Sequence, residues 1–116
     1  MNKNFYIKRY GASLGLYMAK WRKKNRKRDS PWGRFLNNAW TRCNVNTVNK
    51  YEYYGGKGIK CFLNGTDIKF LYLRDKAWLL KQASLDRIDS NGHYEKSNCR
   101  FIEMAENRRK KTTQSM

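Results

Sequence analysis

Polar side chains that can bind a metal ion or a phosphate recur between residues 84 and 111. Asp86, Asp89, Asn98 and Asn107 carry carboxylate or amide oxygens, and Arg87 adds a permanent positive charge beside the first of them. Mg²⁺ accepts such oxygens, and one or two protein ligands suffice when water and phosphate supply the others. The segment therefore predicts a magnesium site for phosphate chemistry. The residues alone equally allow these groups to satisfy backbone atoms at turns and strand ends.

The pattern around these side chains predicts two strands followed by a helix. Residues 84–89 and 98–102 have strand character, the Asn91-Gly92 pair between them indicates a turn, and residues 103–111 have helical character. In a regular strand Asp86 and Arg87 face opposite sides, whereas Arg87 and Asp89 share one. Either the strand bends at this point, or Asp89 replaces Asp86 as the metal ligand.

Further helices are predicted upstream of this segment. Residues 12–27 have helical spacing within a basic N-terminal arm. For the next helix, Asp29 or Ser30 is the expected cap and Pro31 the expected first residue. A shorter helix is expected to be capped by Thr66. The apolar face predicted for the helix after Pro31 consists of Trp32, Phe35, Leu36, Ala39, Trp40 and Cys43.

Charge is the strongest indication of a partner. The chain carries 26 Lys and Arg against 9 Asp and Glu, a net charge of +17, far above the ~2–8 that solubility requires. Each phosphate neutralised by a basic side chain releases counterions, so a nucleic acid is the expected partner. We find neither an apolar run of ~20 residues nor a signal peptide. No membrane partner and an intracellular location are therefore expected.

The basic residues expected to contact DNA fall into four groups. The first group lies in the arm and the second near the C-terminus. The third lies beside the glycine-rich turn at Gly55–Gly58, and the fourth belongs to the second predicted strand. They are Lys23, Lys24 and Arg26; Arg108 and Arg109; Lys57 and Lys60; and Arg100.

The three cysteines are expected to be buried thiols. Their odd number and the lack of a secretion signal argue against disulfides. A zinc site would need Cys43, Cys61 and Cys99 together with His93, an arrangement that is not expected but that the sequence allows.

Residues 84–109, which include Leu85-Asp-Arg-Ile-Asp89 and Asn98-Cys-Arg-Phe101, resemble the HNH endonuclease motif of phage and mobile-element proteins. The relevant subgroup carries Leu-Asp-Arg-Ile-Asp in place of the usual Asp-His. Two upstream segments, Trp40-Thr-Arg-Cys43 and Tyr54-Gly-Gly-Lys-Gly-Ile-Lys60, also resemble that subgroup. The resemblance covers about residues 32–111. It implies an α+β fold with a small ββα-metal core, to which this chain adds N-terminal helices.

The resemblance also implies roles for individual residues. Asp86 matches the metal-binding acid, Asn98 the asparagine that orients the loop, and Asn107 the helix residue that completes the metal site. Arg87 stands in the place of the general-base histidine. Because a guanidinium keeps its proton at ordinary pH, we expect Arg87 to hold the scissile phosphate and stabilise its growing negative charge.

Another group must then accept a proton from the attacking water. His93 is the only histidine and titrates in a suitable range, although it could instead only pack or hydrogen-bond within its turn. Tyr54, beside the glycine-rich turn, is a second candidate. The third is a metal-bound water acting with bulk solvent.

The sequence therefore predicts a metal-dependent endonuclease that nicks or cuts duplex DNA, with Mg²⁺ expected, Mn²⁺ as the alternative and zinc not expected. The expected organisation is a basic arm over residues 1–29, the nuclease domain over residues 30–111 and a tail over residues 112–116. The alternative is a non-catalytic nucleic-acid binder, either a decayed nuclease or a protein that binds RNA. A phage-encoded protein of the host cytoplasm fits the first interpretation.

Overall fold

The computed structural model describes residues 3–25 and 30–114, with side chains as far as Lys110. The helices are α1 (Lys3–Tyr10), α2 (Ala12–Lys24), α3 (Gly33–Asn44), α4 (Gly65–Arg74) and α5 (Met104–Gln114), and the strands are β1 (Ala83–Arg87) and β2 (Cys99–Glu103). Short 3₁₀ turns lie at Tyr51–Tyr53, Gly55–Lys57, Ala77–Leu79 and Lys96–Asn98. The mixed α+β class expected from the sequence is confirmed.

The chain divides into two compact units, Met1–Pro31 and Trp32–Met116. The first contains α1 and α2, which pack against each other. Gly15 of α2 lies so close to α1 that a Cβ atom there would be 2.5 Å from the Cα of Ile7, so only glycine permits this approach. The sequence did not predict α1, and α2 ends at Lys24. Residues 26–29, which include Arg26 and Asp29, lie outside the described residues.

The second unit contains the ββα arrangement expected from the sequence. β1 and β2 pair antiparallel with Ala83 opposite Glu103 and Arg87 opposite Cys99. Both strands then contact α5. The backbone N–H of Met104, the first residue of α5, donates to the carbonyl of Gln82 at 2.8 Å. This bond ties the start of the helix to the start of β1. As a result, side chains of α5 lie beside those of β1.

The core of the second unit lies between α3, α4 and β2. Phe101 of β2 makes edge-to-face contacts with Phe35 of α3 and Tyr72 of α4, at centroid separations of 4.9 and 5.5 Å. Ile68 and Leu71 of α4 are fully buried. Burying an aliphatic side chain of this size contributes ~1.5–3 kcal/mol, so this layer fixes the sheet against the helices.

Two expectations for α3 are wrong. Pro31 and Ser30 precede the helix, which begins at Gly33 with Trp32 in the N-cap position and no side-chain cap. Trp40 was expected to be buried, but it is 52% exposed. The buried stripe is narrower than the sequence suggested because Phe35, Ala39 and Cys43, each four residues apart, are enough to cover the core.

The expected cap of α4 is also wrong. Asn64, and not Thr66, is the N-cap: its side chain accepts a bond from the backbone N–H of Asp67 at 2.9 Å, and Asp67 reciprocates at 3.2 Å. Such a capping box satisfies two amide groups that the helix cannot pair internally. Among the residues that the structure describes, no helix is long and apolar enough to cross a membrane.

Candidate active site

A surface cavity of about 90 Å³ opens where β1 ends and α5 passes alongside it. Its wall includes Asp86 and Arg87 from β1, Asn107 and Lys110 from α5, and Tyr54 from the glycine-rich turn. Three of these, Asp86, Arg87 and Asn107, were singled out by the sequence as a metal and phosphate site. The fold brings them to one place because α5 follows β2 directly and packs back against β1.

Asp86 is a buried carboxylate held by two cations. Its side chain is 5% exposed, Lys110 Nζ lies 3.0 Å from Oδ1, and Arg100 Nε lies 2.9 Å from Oδ2. Lys110 also donates to the main-chain carbonyls of Arg87 and Ile88. Burying a charge is costly unless it is paired, so these two cations offset the cost of burying the carboxylate.

Asn107 presents an unsatisfied acceptor in the same place. Its side-chain Nδ2 donates to Ser84 Oγ at 2.7 Å. Its Oδ1 is buried and has no hydrogen-bond partner within the described part of the chain. A buried acceptor without a hydrogen-bond partner costs ~1–3 kcal/mol. Such an oxygen is therefore suited to binding an external cation or hydrogen-bond donor. Asp86 and Asn107 therefore offer two oxygen ligands, a number that suits Mg²⁺.

Arg87 is positioned by aromatic rings and by the turn that follows β1. Its guanidinium carbon lies 5.1 Å from the ring centroids of both Tyr54 and Tyr94. Nη1 donates to the carbonyls of Ser90 and Gly92 at 2.7 and 2.9 Å. Cation–π contacts favour this placement. Within the described residues no carboxylate pairs with Arg87, so its charge is available to an anion in the cavity.

Asp86 and Arg87 both line the cavity although β1 is a regular strand. β1 ends at Arg87, and the rings over which its guanidinium lies, Tyr54 and Tyr94, are themselves part of the cavity wall. Asp89, the alternative metal ligand, is exposed and accepts the backbone N–H of Asn91 at 3.0 Å. It is not among the described residues that line the cavity.

Asn98 organises the loop between the strands. Its Nδ2 donates to the carbonyls of Asp89 and His93 at 3.0 and 2.9 Å, and its Oδ1 accepts the backbone N–H of Asp89 at 2.9 Å. These three bonds hold residues 89–93 together, which is the loop-orienting geometry that the resemblance implies. Asn98 contacts the backbone of the loop and is a positioning residue.

His93, which the sequence suggested as a proton acceptor, does not line the cavity. Its Nδ1 accepts the backbone N–H of Lys60 at 2.9 Å, and its ring packs edge-on against Phe62 at 5.3 Å. A neutral imidazole that accepts at Nδ1 carries its proton on Nε2, and so has no second lone pair for the proton of an attacking water. The described cavity wall does not include His93. The geometry fits a structural role in linking the turn to residue 60.

Tyr54 lines the cavity and is 8% exposed. Its ring stacks on that of Tyr94 with a centroid separation of 6.3 Å. The guanidinium carbons of Arg87 and Arg42 lie 5.1 and 5.5 Å from the centroid of the Tyr54 ring. The glycine-rich turn brings it there. Gly55 lies so close to α3 that a Cβ atom would be 2.2 Å from the carbonyl oxygen of Cys43, and Gly58 has a φ of 91°. These two positions require glycine.

The sequence did not assign Arg42 and Lys110 to the site. Arg42 lies within the Trp40-Thr-Arg-Cys43 segment, where no periodicity distinguishes it from other arginines. Lys110 follows Asn107 by three residues, a spacing that places both on one face of a helix. That spacing is the signal by which Lys110 could have been found.

The predicted DNA contacts have different surroundings. Lys23, Lys24, Lys60, Arg108 and Arg109 are exposed. Lys57 Nζ bonds Asn91 Oδ1 at 3.0 Å, and Arg100 is paired with Asp86. An arginine whose charge is already neutralised attracts phosphate less strongly.

The three thiols form no disulfide within the described residues. Cys43 and Cys99 are buried and Cys61 is partly buried, all three unpaired. Burial raises the pKa of Cys43 to about 11 and that of Cys99 to about 12. Over residues 3–25 and 30–114, no group of three or more His, Cys, Asp or Glu is arranged to hold a metal ion. The metal-binding potential of the described site therefore rests on Asp86 and Asn107.

Comparisons with models of known families, with curated proteins and with solved structures gave no match. The resemblance to HNH endonucleases therefore stays a prediction, based on the motif residues.

Proposed function

We propose that this protein is a metal-dependent endonuclease that hydrolyses phosphodiester bonds of duplex DNA in the cavity beside β1 and α5. The observation that carries the proposal is the meeting of Asp86, Arg87 and Asn107 in one cavity, with Asn107 Oδ1 buried and unpaired. A site used only for stability would not need a buried acceptor without a partner beside a carboxylate and a guanidinium that no carboxylate of the described residues neutralises.

The oxygens present fit a divalent ion. Asp86 and Asn107 would hold it, and its other ligands would be water and a phosphate oxygen. Lys110, which now neutralises Asp86, would give up that contact. When bound, Mg²⁺ lowers the pKa of a water molecule and offsets negative charge on phosphate.

The chain's own residues orient and stabilise the substrate. In this proposal Arg87 binds the scissile phosphate, because the turn carbonyls hold its Nη1 and fix the direction of the fork. A preorganised cation of this kind stabilises the charge that grows on the phosphate oxygens. Arg87 cannot accept the water's proton. We assign that step to solvent, and Tyr54 stays an alternative.

The test is nicking of supercoiled plasmid with Mg²⁺, with Mn²⁺ and with EDTA. Asp86→Asn keeps the size of the side chain and removes its charge, so we expect a loss of ~10²-fold or more in rate, comparable to loss of a strong transition-state contact. DNA binding in EDTA should be unchanged or tighter, since a negative charge is removed. The control is Glu106→Gln, the same charge change at an exposed carboxylate of α5. Cleavage by Asp86→Asn at the wild-type rate would refute the proposed metal site.

A second candidate is a nucleic-acid-binding protein without catalysis. The observation that favours it is the complete pairing of Asp86 by Lys110 and Arg100, which a purely structural carboxylate would also show. Wild-type protein that binds DNA with a steep salt dependence but never nicks plasmid with either ion would support this candidate. Preference for RNA over DNA of the same length would identify its partner.

A further inference from the structure

A second cavity adjoins the first along α3. Its wall includes Arg34, Asn38 and Arg42, which follow one another at intervals of four residues and so lie on one face of the helix. Arg42 and Tyr94 belong to the walls of both cavities. The two cavities therefore lie side by side and share part of their walls.

The second cavity is suited to an anion. The described residues of its wall include two arginines and the amides of Asn38 and Gln82, but no Asp or Glu. Arg34 and Asn38 are exposed. Arg34 contacts a ring, that of Phe35 at 4.5 Å, and no ion pair to Arg34 or Arg42 occurs within the described residues.

Arg42 is a cation whose described neighbours are tyrosine side chains and not carboxylates. Its guanidinium lies over the Tyr54 ring at 5.5 Å, and its Nη1 lies 3.5 Å from the hydroxyl of Tyr94. The side chain is partly buried. Burial by itself disfavours the cation, whereas the contacts with Tyr94 and Tyr54 favour it and leave the pKa of Arg42 raised. No carboxylate of the described residues pairs with it, and a phosphate would supply that negative charge.

We propose that Arg34, Asn38 and Arg42 form a phosphate-binding track on α3 that holds one strand of duplex DNA beside the scissile phosphate. This inference rests on the proposed function, because the track begins at the cavity assigned to cleavage. From Arg34 to Arg42 the helix rises ~12 Å. Phosphates of one strand are spaced ~3.4 Å along the duplex axis, so the track spans several of them.

The test is binding of a 20-base-pair duplex in EDTA, measured by fluorescence anisotropy at several salt concentrations. We expect Arg34→Gln and Arg42→Gln each to weaken binding about five- to tenfold at 0.1 M salt and to lower the salt slope by about one. The control is Lys96→Gln, because Lys96 lies over Phe70 at 4.4 Å and outside both cavity walls. The control should change binding less than twofold.

A purely structural role for Arg42 is separated from binding by thermal unfolding. If Arg42 binds phosphate, Arg42→Gln unfolds within a few degrees of wild type yet binds weakly, and Arg42→Lys keeps the salt slope. If Arg42→Gln fails to fold, the test rests on Arg34→Gln, because Arg34 is exposed. An unchanged salt slope of DNA binding in Arg34→Gln overturns the track, and a lowered salt slope supports it.

The two proposals fail in different ways. Wild-type protein that does not cleave, while the Arg34 and Arg42 variants lose binding, refutes the nuclease and leaves the track as a DNA-binding surface. Wild-type protein that cleaves, while both variants bind as wild type does, refutes the track alone.

Discussion

Replacing Lys110 with methionine tests how Asp86 is held and whether a divalent ion can take the place of the ammonium group. Lys110 Nζ contacts both carboxylate oxygens of Asp86 at 3.0 Å and two main-chain carbonyls. Methionine keeps a similar length and removes the charge. The variant leaves the carboxylate with Arg100 as its remaining cation.

The size of the effect follows from burial. The side chains of Asp86 and Lys110 are 5% and 19% exposed, so water screens this pair poorly. Removing one partner of a buried pair costs ~3–5 kcal/mol. Because Arg100 remains paired with Asp86 in the variant, we expect a smaller loss of about 2 kcal/mol, below this range. For a domain of this size, that loss lowers Tm by roughly 8–16 °C.

The assay is thermal unfolding with and without Mg²⁺. A ligand that binds only the folded state stabilises it by ~2.7 kcal/mol at one hundred times its Kd. Without the competing ammonium group, Mg²⁺ should bind more tightly and raise the Tm of Lys110→Met more than that of wild type. The control is Lys81→Met, because Lys81 is exposed and surface substitutions usually change stability by less than ~0.5 kcal/mol.

Two results would refute this reasoning. An unchanged Tm for Lys110→Met would show that the contacts to Asp86 contribute little. A lowered Tm that Mg²⁺ raises no more than it raises that of wild type would show that Asp86 and Asn107 do not form a metal site together.

Two further predictions concern titratable groups. His93→Asn should leave the single-turnover cleavage rate within about threefold of wild type and keep any inflection of its pH profile, because His93 Nδ1 already accepts the N–H of Lys60; loss of the inflection would restore His93 as the proton acceptor. The buried thiols should make the fold less stable as pH rises from about 9 to about 11, because burial raises the pKa of Cys43 to about 11 and that of Cys99 to about 12. Unfolded thiols ionise first, so Tm should fall over that window, and Cys43→Ala should reduce the fall; an identical pH profile for this variant would contradict the shift.

The sequence by itself determined the order of elements around the site and the expectation of an anionic partner. The apolar periodicity and the Asn91-Gly92 turn were enough for the strand, strand and helix order that the structure shows. The net charge of +17 follows from composition alone. These features are local or additive, so they can be read without coordinates.

Local signals were less informative where several residues compete for one role. Asn64 caps α4 although Thr66 has a suitable side chain, because the reciprocal bond with Asp67 requires a spacing of three residues. α1 was not predicted because its eight residues are stabilised by the close contact with Gly15 of α2, a contact that lies outside the helix itself.

Only the tertiary structure decided which charges meet. Among 26 basic residues, Lys110 and Arg100 lie on Asp86, while Arg42 and Arg87 lie over Tyr54. Composition cannot separate these pairs, since a charge interaction depends on distance and burial between residues far apart in the chain. The same holds for His93, whose Nδ1 accepts the backbone N–H of Lys60, 33 residues away in the chain. The chemistry available to each side chain was therefore set by packing.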